Sequence, residues 1–336
     1  MICVTPPETP AGPRREIRLA HGPAGAPGYD AGMSAPATPP VSAGDLLTLP
    51  ELRHLRRLSA LRGACLVLHA WAVIAGAMIL YAAWPSALTL GLAIAVIGAR
   101  QLGLLVLMHD AAHWRLFPHP GLNTRVGQWL CAHPVWSEMA AYRARHHLHH
   151  RHTRQPDDPD LALAPALPRT RGRFWRDVLC DLAGVTAVAR LLRADPWRAG
   201  TSGLWSRWRG PLATNAVLCG VLAALGHWSL YPLLWLLPLA TWYQLATRIR
   251  DVAEHGLVSD DGDPLRNTRT TAAGLLARIF LAPYWVNYHL EHHLMVFVPC
   301  WKLPQAHAIL LARGCGPRME MAASYLEVIR QATSPR

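Results

Sequence analysis

Four stretches of the chain are poor in charge and rich in Leu, Ala, Val, Ile and Trp: Leu61 to Trp84, Ala87 to Met108, Leu212 to Leu230 and Tyr231 to Ala246. A helix needs about 20 mostly apolar residues, at a rise of about 1.5 Å each, to cross the hydrocarbon of a bilayer. The first two stretches meet that length directly, and the last two are short spans. Close spacing pairs them into two hairpins. Arginine then orients the hairpins, because positive charge near span ends stays on the cytoplasmic side. Arg53, Arg56, Arg57 and Arg62 stand at the start of the first span, Arg115 to Arg209 is dense in Arg, and Arg248 and Arg250 follow the last span. The two outer turns, at Trp84 to Ser86 and Leu230 to Tyr231, contain no Arg or Lys. Both termini are therefore expected in the cytoplasm.

Between and around the spans the pattern changes to amphipathic. Leu46 to Arg57 reads as a short interfacial helix leading into the first span. Asn123 to Tyr142 is apolar but interrupted by Pro134, which fits a re-entrant or interfacial segment better than a fifth crossing. Phe174 to Arg193 sets Phe174, Val178, Leu182, Val185, Ala189 and Leu192 at helical spacing opposite Arg176, Asp177, Asp181 and Arg190, as in a helix lying on the membrane surface or in a soluble bundle. Gly274 to Val286 is long enough only to dip or lie flat. The pattern predicts an all-α integral membrane protein, four transmembrane helices in two hairpins with a cytoplasmic helical cap. Residues 1–45 are rich in Pro, Gly and Ala, lack the apolar core of a signal peptide, and are expected to be disordered, with Met33 an alternative start. Residues 46–336 are expected to form the functional domain.

Composition sharpens this picture in two ways. A net charge of +12 suits a surface facing anionic lipid headgroups or an acidic redox partner, and no nucleic-acid-binding motif accompanies it, so nucleic acid is not an expected partner. The seven cysteines are scattered without a CxxC pair, which predicts reduced thiols rather than a disulfide framework.

The third informative number is 18 histidines, which are clustered. HDAAH follows the second span and puts His109 and His113 on one helix face. In HHLHHRH, His146, His149 and His150 share a face while His147 and His152 point elsewhere; HLEHH repeats that spacing with His289, His292 and His293. His255 sits just past the last span. All the clusters fall on the predicted cytoplasmic side. Neutral imidazole suits iron, zinc or copper, and eight or nine such ligands exceed what one tetrahedral ion uses, which points to two metals. His54, His69, His119, His133, His227 and His307 lack such partners and are assigned no metal role. Asp110, Glu254 and Glu291 lie beside the clusters, either to accept the outer ring N–H of a ligand or simply as solvated charges. Asp157, Asp158 and Asp160 are expected to pair with nearby Arg. Arg100 lies inside the second span and is expected to meet a substrate headgroup or to snorkel to the interface.

HDAAH, HHLHH followed by TRQPDDPD, and NYHLEHHL followed by VPCWKLPQAH closely resemble the histidine boxes of the membrane fatty acid desaturase superfamily, which includes hydroxylases, ketolases and alkane monooxygenases. The resemblance covers about Leu46 to Gly314. It implies a non-haem centre of two iron ions, dioxygen as co-substrate, and electrons from a separate ferredoxin, rubredoxin or cytochrome. By position it implies that His109 and His113, then His146, His149 and His150, then His289, His292 and His293 are ligands, with His255 the additional one. The expected reaction is O2-dependent desaturation of a fatty acyl chain, in a bacterial inner membrane; hydroxylation or ketolation on the same scaffold is the alternative. A metal transporter or zinc-storage protein would ask for ligands at mid-membrane depth, where the spans offer only His69 and His227.

Overall fold

Two serines define the first hairpin. Ser59 Oγ accepts from the Arg62 backbone N–H at 3.3 Å and opens the helix Ala60–Ala83; Pro85 then interrupts the chain, and Ser86 and Thr89 cap each other reciprocally to open Ala87–Ala112. The structure is a computed structural model that describes residues 43–161, 167–193 and 200–333, all within one unit, residues 40–336. Residues 1–42 of the expected N-terminal segment lie outside the described residues. Among the described residues these two helices alone are long and apolar enough to cross a membrane. Within their most apolar windows the first is 28% buried and the second 67% buried, so the first is peripheral and the second is the axis around which the protein packs.

Small residues let the other elements approach that axis. A Cβ on Gly98 would lie 2.8 Å from Trp242 Cβ and 3.0 Å from the Tyr243 backbone nitrogen, so only glycine permits the contact with the helix Trp242–His255. One turn further on, Gln101 reaches across and donates to the Trp235 carbonyl at 2.7 Å, while the Trp235 ring stacks on Trp71 at 5.6 Å. Leu55, Val67, Leu107, Met108, Leu234 and Leu290 bring the N-terminal helix, both long helices and the later segments into one hydrophobic core.

The later apolar blocks fold less regularly than the pattern predicts. The helix Gly200–Ala224 takes in only the first part of the third block, and Gly226 at φ +80° follows its end. The fourth block is divided into a π-turn at Pro232–Leu236, one turn at Leu237–Ala240 and the helix Trp242–His255. Pro232 and Pro238 lack the N–H that a continuous helix needs, and Thr241 Oγ1 donates to the Leu237 carbonyl at 2.7 Å, competing with the main chain. Phe174 to Arg193 is likewise two helices, Arg171–Leu182 and Val185–Arg193, separated at Gly184 with φ +76°. Phe174 and Val178 pack on Leu245, and Asp181, expected on a polar outer face, is fully buried and paired with Arg248.

The expected interruption near Pro134 is present as a three-residue 3-10 turn, His133–Val135, that stops at Trp136 with φ 59°. The amphipathic N-terminal segment is a helix over Leu49–Arg56, closed by a Thr48–Glu51 capping box and pinned by Arg313 on Glu51 at 2.7 Å. Against an all-helical expectation there is one small sheet among the described residues. Thr270–Thr271 pairs in parallel with Met321–Ala322 and ties the C-terminal helix Tyr325–Ala332 to the region of the third histidine cluster. The six described cysteines are free thiols.

Gly98→Val is expected to lower the thermal midpoint of the detergent-solubilised protein, because overpacking a close contact costs about 1–3 kcal/mol. Gly76→Val, at a position where a Cβ would meet nothing within 4 Å, is the control. Equal melting of the two variants would contradict the close packing of the second span on Trp242.

Candidate metal centre

Three helix ends and one short helix bring the histidines together. His109 occupies the last turn of Ala87–Ala112 and His113 follows it as the cap residue; the second cluster rides on Met139–His152, opened by Glu138, whose carboxylate accepts from Ala140 N and Ala141 N at 2.9 and 2.7 Å. His255 ends the helix Trp242–His255, and the third cluster forms His289–Leu294. Arg143 fastens the first two clusters to each other. Its guanidinium donates to the Ala112 and Ala111 carbonyls at 2.9 and 3.3 Å and lies 4.0 Å over the Trp114 ring.

The rings fall into two groups, each with its ligand-capable atoms within 4.8 Å of one another. His109, His113, His146, His150 and His292 form the first; His149, His255, His289 and His293 form the second. The groups adjoin where His150 and His293 stack at 4.1 Å. Each group draws from more than one cluster, and all nine residues singled out in the sequence are in one or the other. His147 is exposed and joins neither, and among the described residues His54, His69, His119, His133, His227 and His307 also lie outside both.

Burial drives most of the rings with a clear shift to the neutral form, and it pushes His150 down to about 2 and His113 down to about 3. His146, His255, His289, His292 and His293 fall well below the ordinary histidine range, with burial the largest cause in each. Neutral rings present lone pairs.

The contacts between them fit a shared cation better than ordinary hydrogen bonding. His150 Nε2 lies 2.9 Å from His146 Nε2 and 3.0 Å from His292 Nε2, and His255 Nε2 lies 2.9 Å from His289 Nε2. A ring nitrogen carries one hydrogen or one lone pair, so His150 Nε2 cannot satisfy both neighbours. His113 Nε2, His150 Nδ1, His255 Nδ1 and His293 Nε2 are buried with no partner at all. A purely imidazole donor set in two adjoining groups fits two ions of the iron, zinc or copper type. A polar cleft of about 460 Å³, bordered by His150, His293, Thr153 and Asp261, reaches the rings of both groups from one side.

The neighbouring carboxylates differ from expectation. Glu291 is turned off the ligand face and holds His307 Nδ1 at 2.6 Å and the Thr270 hydroxyl, so it anchors the third-cluster helix instead of orienting a ligand. Asp110 accepts the Cys300 N–H at 2.8 Å, with its nearer oxygen 3.6 Å from His109 Nδ1, too far for a hydrogen bond. Glu254 stands closer to its expected place, 3.5 Å from His289 Nδ1 and 3.3 Å from Arg250; burial pushes its carboxyl up to about 8 despite that arginine. Asp160 pairs with Arg145 at 2.6 Å as expected, whereas Asp158 faces His149 Nδ1 at 2.9 Å.

Arg100 neither snorkels nor offers itself to a headgroup. Its Nη2 donates to the Arg278 and Ile279 carbonyls at 3.1 and 2.8 Å, at the end of the helix Leu275–Phe280, and the guanidinium sits 5.5 Å from the Tyr284 ring. Carbonyls at a helix C-terminus lack intrahelical donors and carry partial negative charge, which holds a buried guanidinium. The contacts of Thr153, His307 and Thr270 have no signature in the sequence, because isolated hydroxyls and a lone histidine carry no spacing signal.

Comparison with known proteins agrees with this geometry. The chain is 30% identical over 244 residues to dihydrorhizobitoxine desaturase of Bradyrhizobium elkanii, covering 65% of this chain and 66% of that one. It is 29% identical over 216 residues to a beta-carotene ketolase of Paracoccus sp. (strain PC1), covering 61% and 74%, and 26% identical over 215 residues to a zeaxanthin 4-ketolase of Chlamydomonas reinhardtii, covering 63% and 42%. The profile described as "Fatty acid desaturase" matches residues 82–322, a stretch that contains all nine clustered histidines, and the chain therefore belongs to the fatty acid desaturase family, a class of non-haem di-iron oxidoreductases.

Proposed function

We propose that the chain uses O2 and two external electrons to desaturate a fatty acyl chain, at two irons held by His109, His113, His146, His150 and His292 and by His149, His255, His289 and His293. The observation that carries this reading is the pair of adjoining groups of closely packed imidazoles in a chain of this family. Bound iron would supply the oxidising power. The protein's own part is to hold nine rings converging, to shield them from bulk water by packing them together, and to admit small molecules through the polar cleft beside His150 and His293. An apolar substrate entering from the bilayer would be held by burial worth about 0.8 kcal/mol per CH2. The catalytic domain is residues 46–336, with four spans, both termini and the centre on the cytoplasmic side of a bacterial inner membrane, and a ferredoxin, rubredoxin or cytochrome as donor. Ketolation is the second reading, favoured by the relatives named beta-carotene ketolase and zeaxanthin 4-ketolase.

Three measurements test these statements. Reporter fusions after Trp84 and Leu230 are expected to read outside, and those after Met108 and Ala246 inside; an outside signal at Met108 would refute the topology. Protein reconstituted anaerobically is expected to hold about two irons per chain, and His149→Ala or His292→Ala to lower that content and abolish turnover while helix content is kept. His147→Ala should keep its metal. Stoichiometric zinc with no turnover after iron loading would favour a non-redox role. With 18O2 and a reductase system, desaturation yields a lipid product two hydrogens lighter and free of label, whereas a labelled ketone moves the assignment to ketolation.

A further inference from the structure

The two histidine groups differ in what holds their rings. In the four-histidine group, Asp158 Oδ1 lies 2.9 Å from His149 Nδ1, and Thr153 Oγ1 lies 3.1 Å from His293 Nδ1. The threonine hydroxyl has one proton, and it is directed to the His149 carbonyl at 2.8 Å, so toward His293 the oxygen acts as acceptor. Asp158 is itself fixed, since the Arg154 and Asp160 backbone N–H groups each donate to it at 2.9 Å. Both rings are therefore held with the proton on Nδ1 and the Nε2 lone pair free. His293 Nε2 is correspondingly buried and without a partner.

The five-histidine group has no such support. Among the described residues none of its ring nitrogens hydrogen-bonds to a protein oxygen: Asp110 stays 3.6 Å from His109 Nδ1, and His150 Nδ1 is buried with no partner. Its rings contact one another instead, through the His146, His150 and His292 nitrogens. An incoming cation must choose tautomers there that nothing has fixed beforehand. The adjacent carboxylate, Asp110, makes no hydrogen bond that would raise the basicity of a ring there. The fifth imidazole adds a donor but no charge.

We propose that Asp158 and Thr153 are positioning residues that make His149, His255, His289 and His293 the tighter of the two metal sites, the one filled first. This inference rests on the two-metal reading of the preceding subsection. Such outer partners of a ligand histidine are worth about 10- to 100-fold in metal affinity.

The test is an anaerobic titration of the metal-free full-length protein in detergent with Co(II), read by its visible absorption, with bound metal counted at each step. Wild-type protein is expected to fill in two resolvable steps. Asp158→Asn and Thr153→Val are expected to weaken the first step by about 10- to 100-fold and leave the second nearly unchanged, while Thr153→Ser restores the first. His293→Ala should remove the first step and His113→Ala the second. Equal affinities for both ions in the wild type would overturn the proposal, as would a Thr153→Val variant that weakens both steps alike or neither. Binding of one ion or none by the wild type would instead overturn the two-metal reading itself.

Discussion

Nine buried or half-buried imidazoles packed against one another, without enough hydrogen-bond partners, form the constraint on which the rest of this structure depends. A neutral ring in a dry environment still carries one donor and one acceptor, and leaving either unmet costs about 1–3 kcal/mol. Here four ring nitrogens are buried with no partner, and His150 Nε2 faces two rings while able to satisfy one. The cost is tolerable when a cation supplies the missing charge, because each lone pair then has a use. Folding and metal binding are accordingly expected to be coupled, with the helix ends that carry the rings held in place by something other than the rings.

That support comes largely from arginines that cap helix C-termini. Arg143 donates to the carbonyls of Ala111 and Ala112, at the end of the helix that carries His109. Arg269 is almost fully buried and donates to Ala253, Gly256 and Leu257, where the helix carrying His255 stops, and Glu320 holds it there at 3.1 Å. Arg100 does the same for the short helix Leu275–Phe280. The planar guanidinium reaches two carbonyls at once, which a lysine ammonium does less well, and it stays charged when buried. One chemical device thus serves three helix ends around the centre. Two of those three ends carry a histidine of the two groups.

The clustered histidines are legible because helical periodicity acts over three or four residues, the same distance at which neighbouring rings meet. HDAAH, HHLHH and HLEHH each declare a face, and the structure puts all nine expected rings into the two groups. What periodicity cannot convey is a contact made across a turn. Asp158 reaches His149 only because the chain reverses after His152, Thr153 reaches His293 across 140 positions, and Glu291, which looks like a ligand partner in HLEHH, belongs to His307 and Thr270. The same limit applies to the fold. The first hairpin is set by length and hydropathy alone, whereas the fourth apolar block is divided by Pro232, Pro238 and the Thr241 side chain, local features that a count of apolar residues averages away. Arg100 departs from expectation for a related reason: its partners are backbone carbonyls nearly 180 positions away, which no side-chain pattern announces.

The position of the histidine groups along the second long helix bears on which carbon of a substrate they could reach. From Ala87 to His109 the second span rises about 33 Å at about 1.5 Å per residue, slightly more than the roughly 30 Å of a bilayer's hydrocarbon. If that helix crosses the membrane, the rings sit at the interface and not at the midplane. A reacting carbon must then be brought to the end of the apolar layer while the rest of the substrate remains in it. A carotenoid end ring meets that requirement, and so does a chain carbon several bonds from a headgroup. Desaturation and ketolation can both begin with removal of hydrogen from such a carbon, so the two histidine groups are compatible with either reaction. The product is then decided by which carbon the walls present and by the fate of that carbon after the first hydrogen is lost, since a displacement of about 1 Å can change a rate about 100-fold.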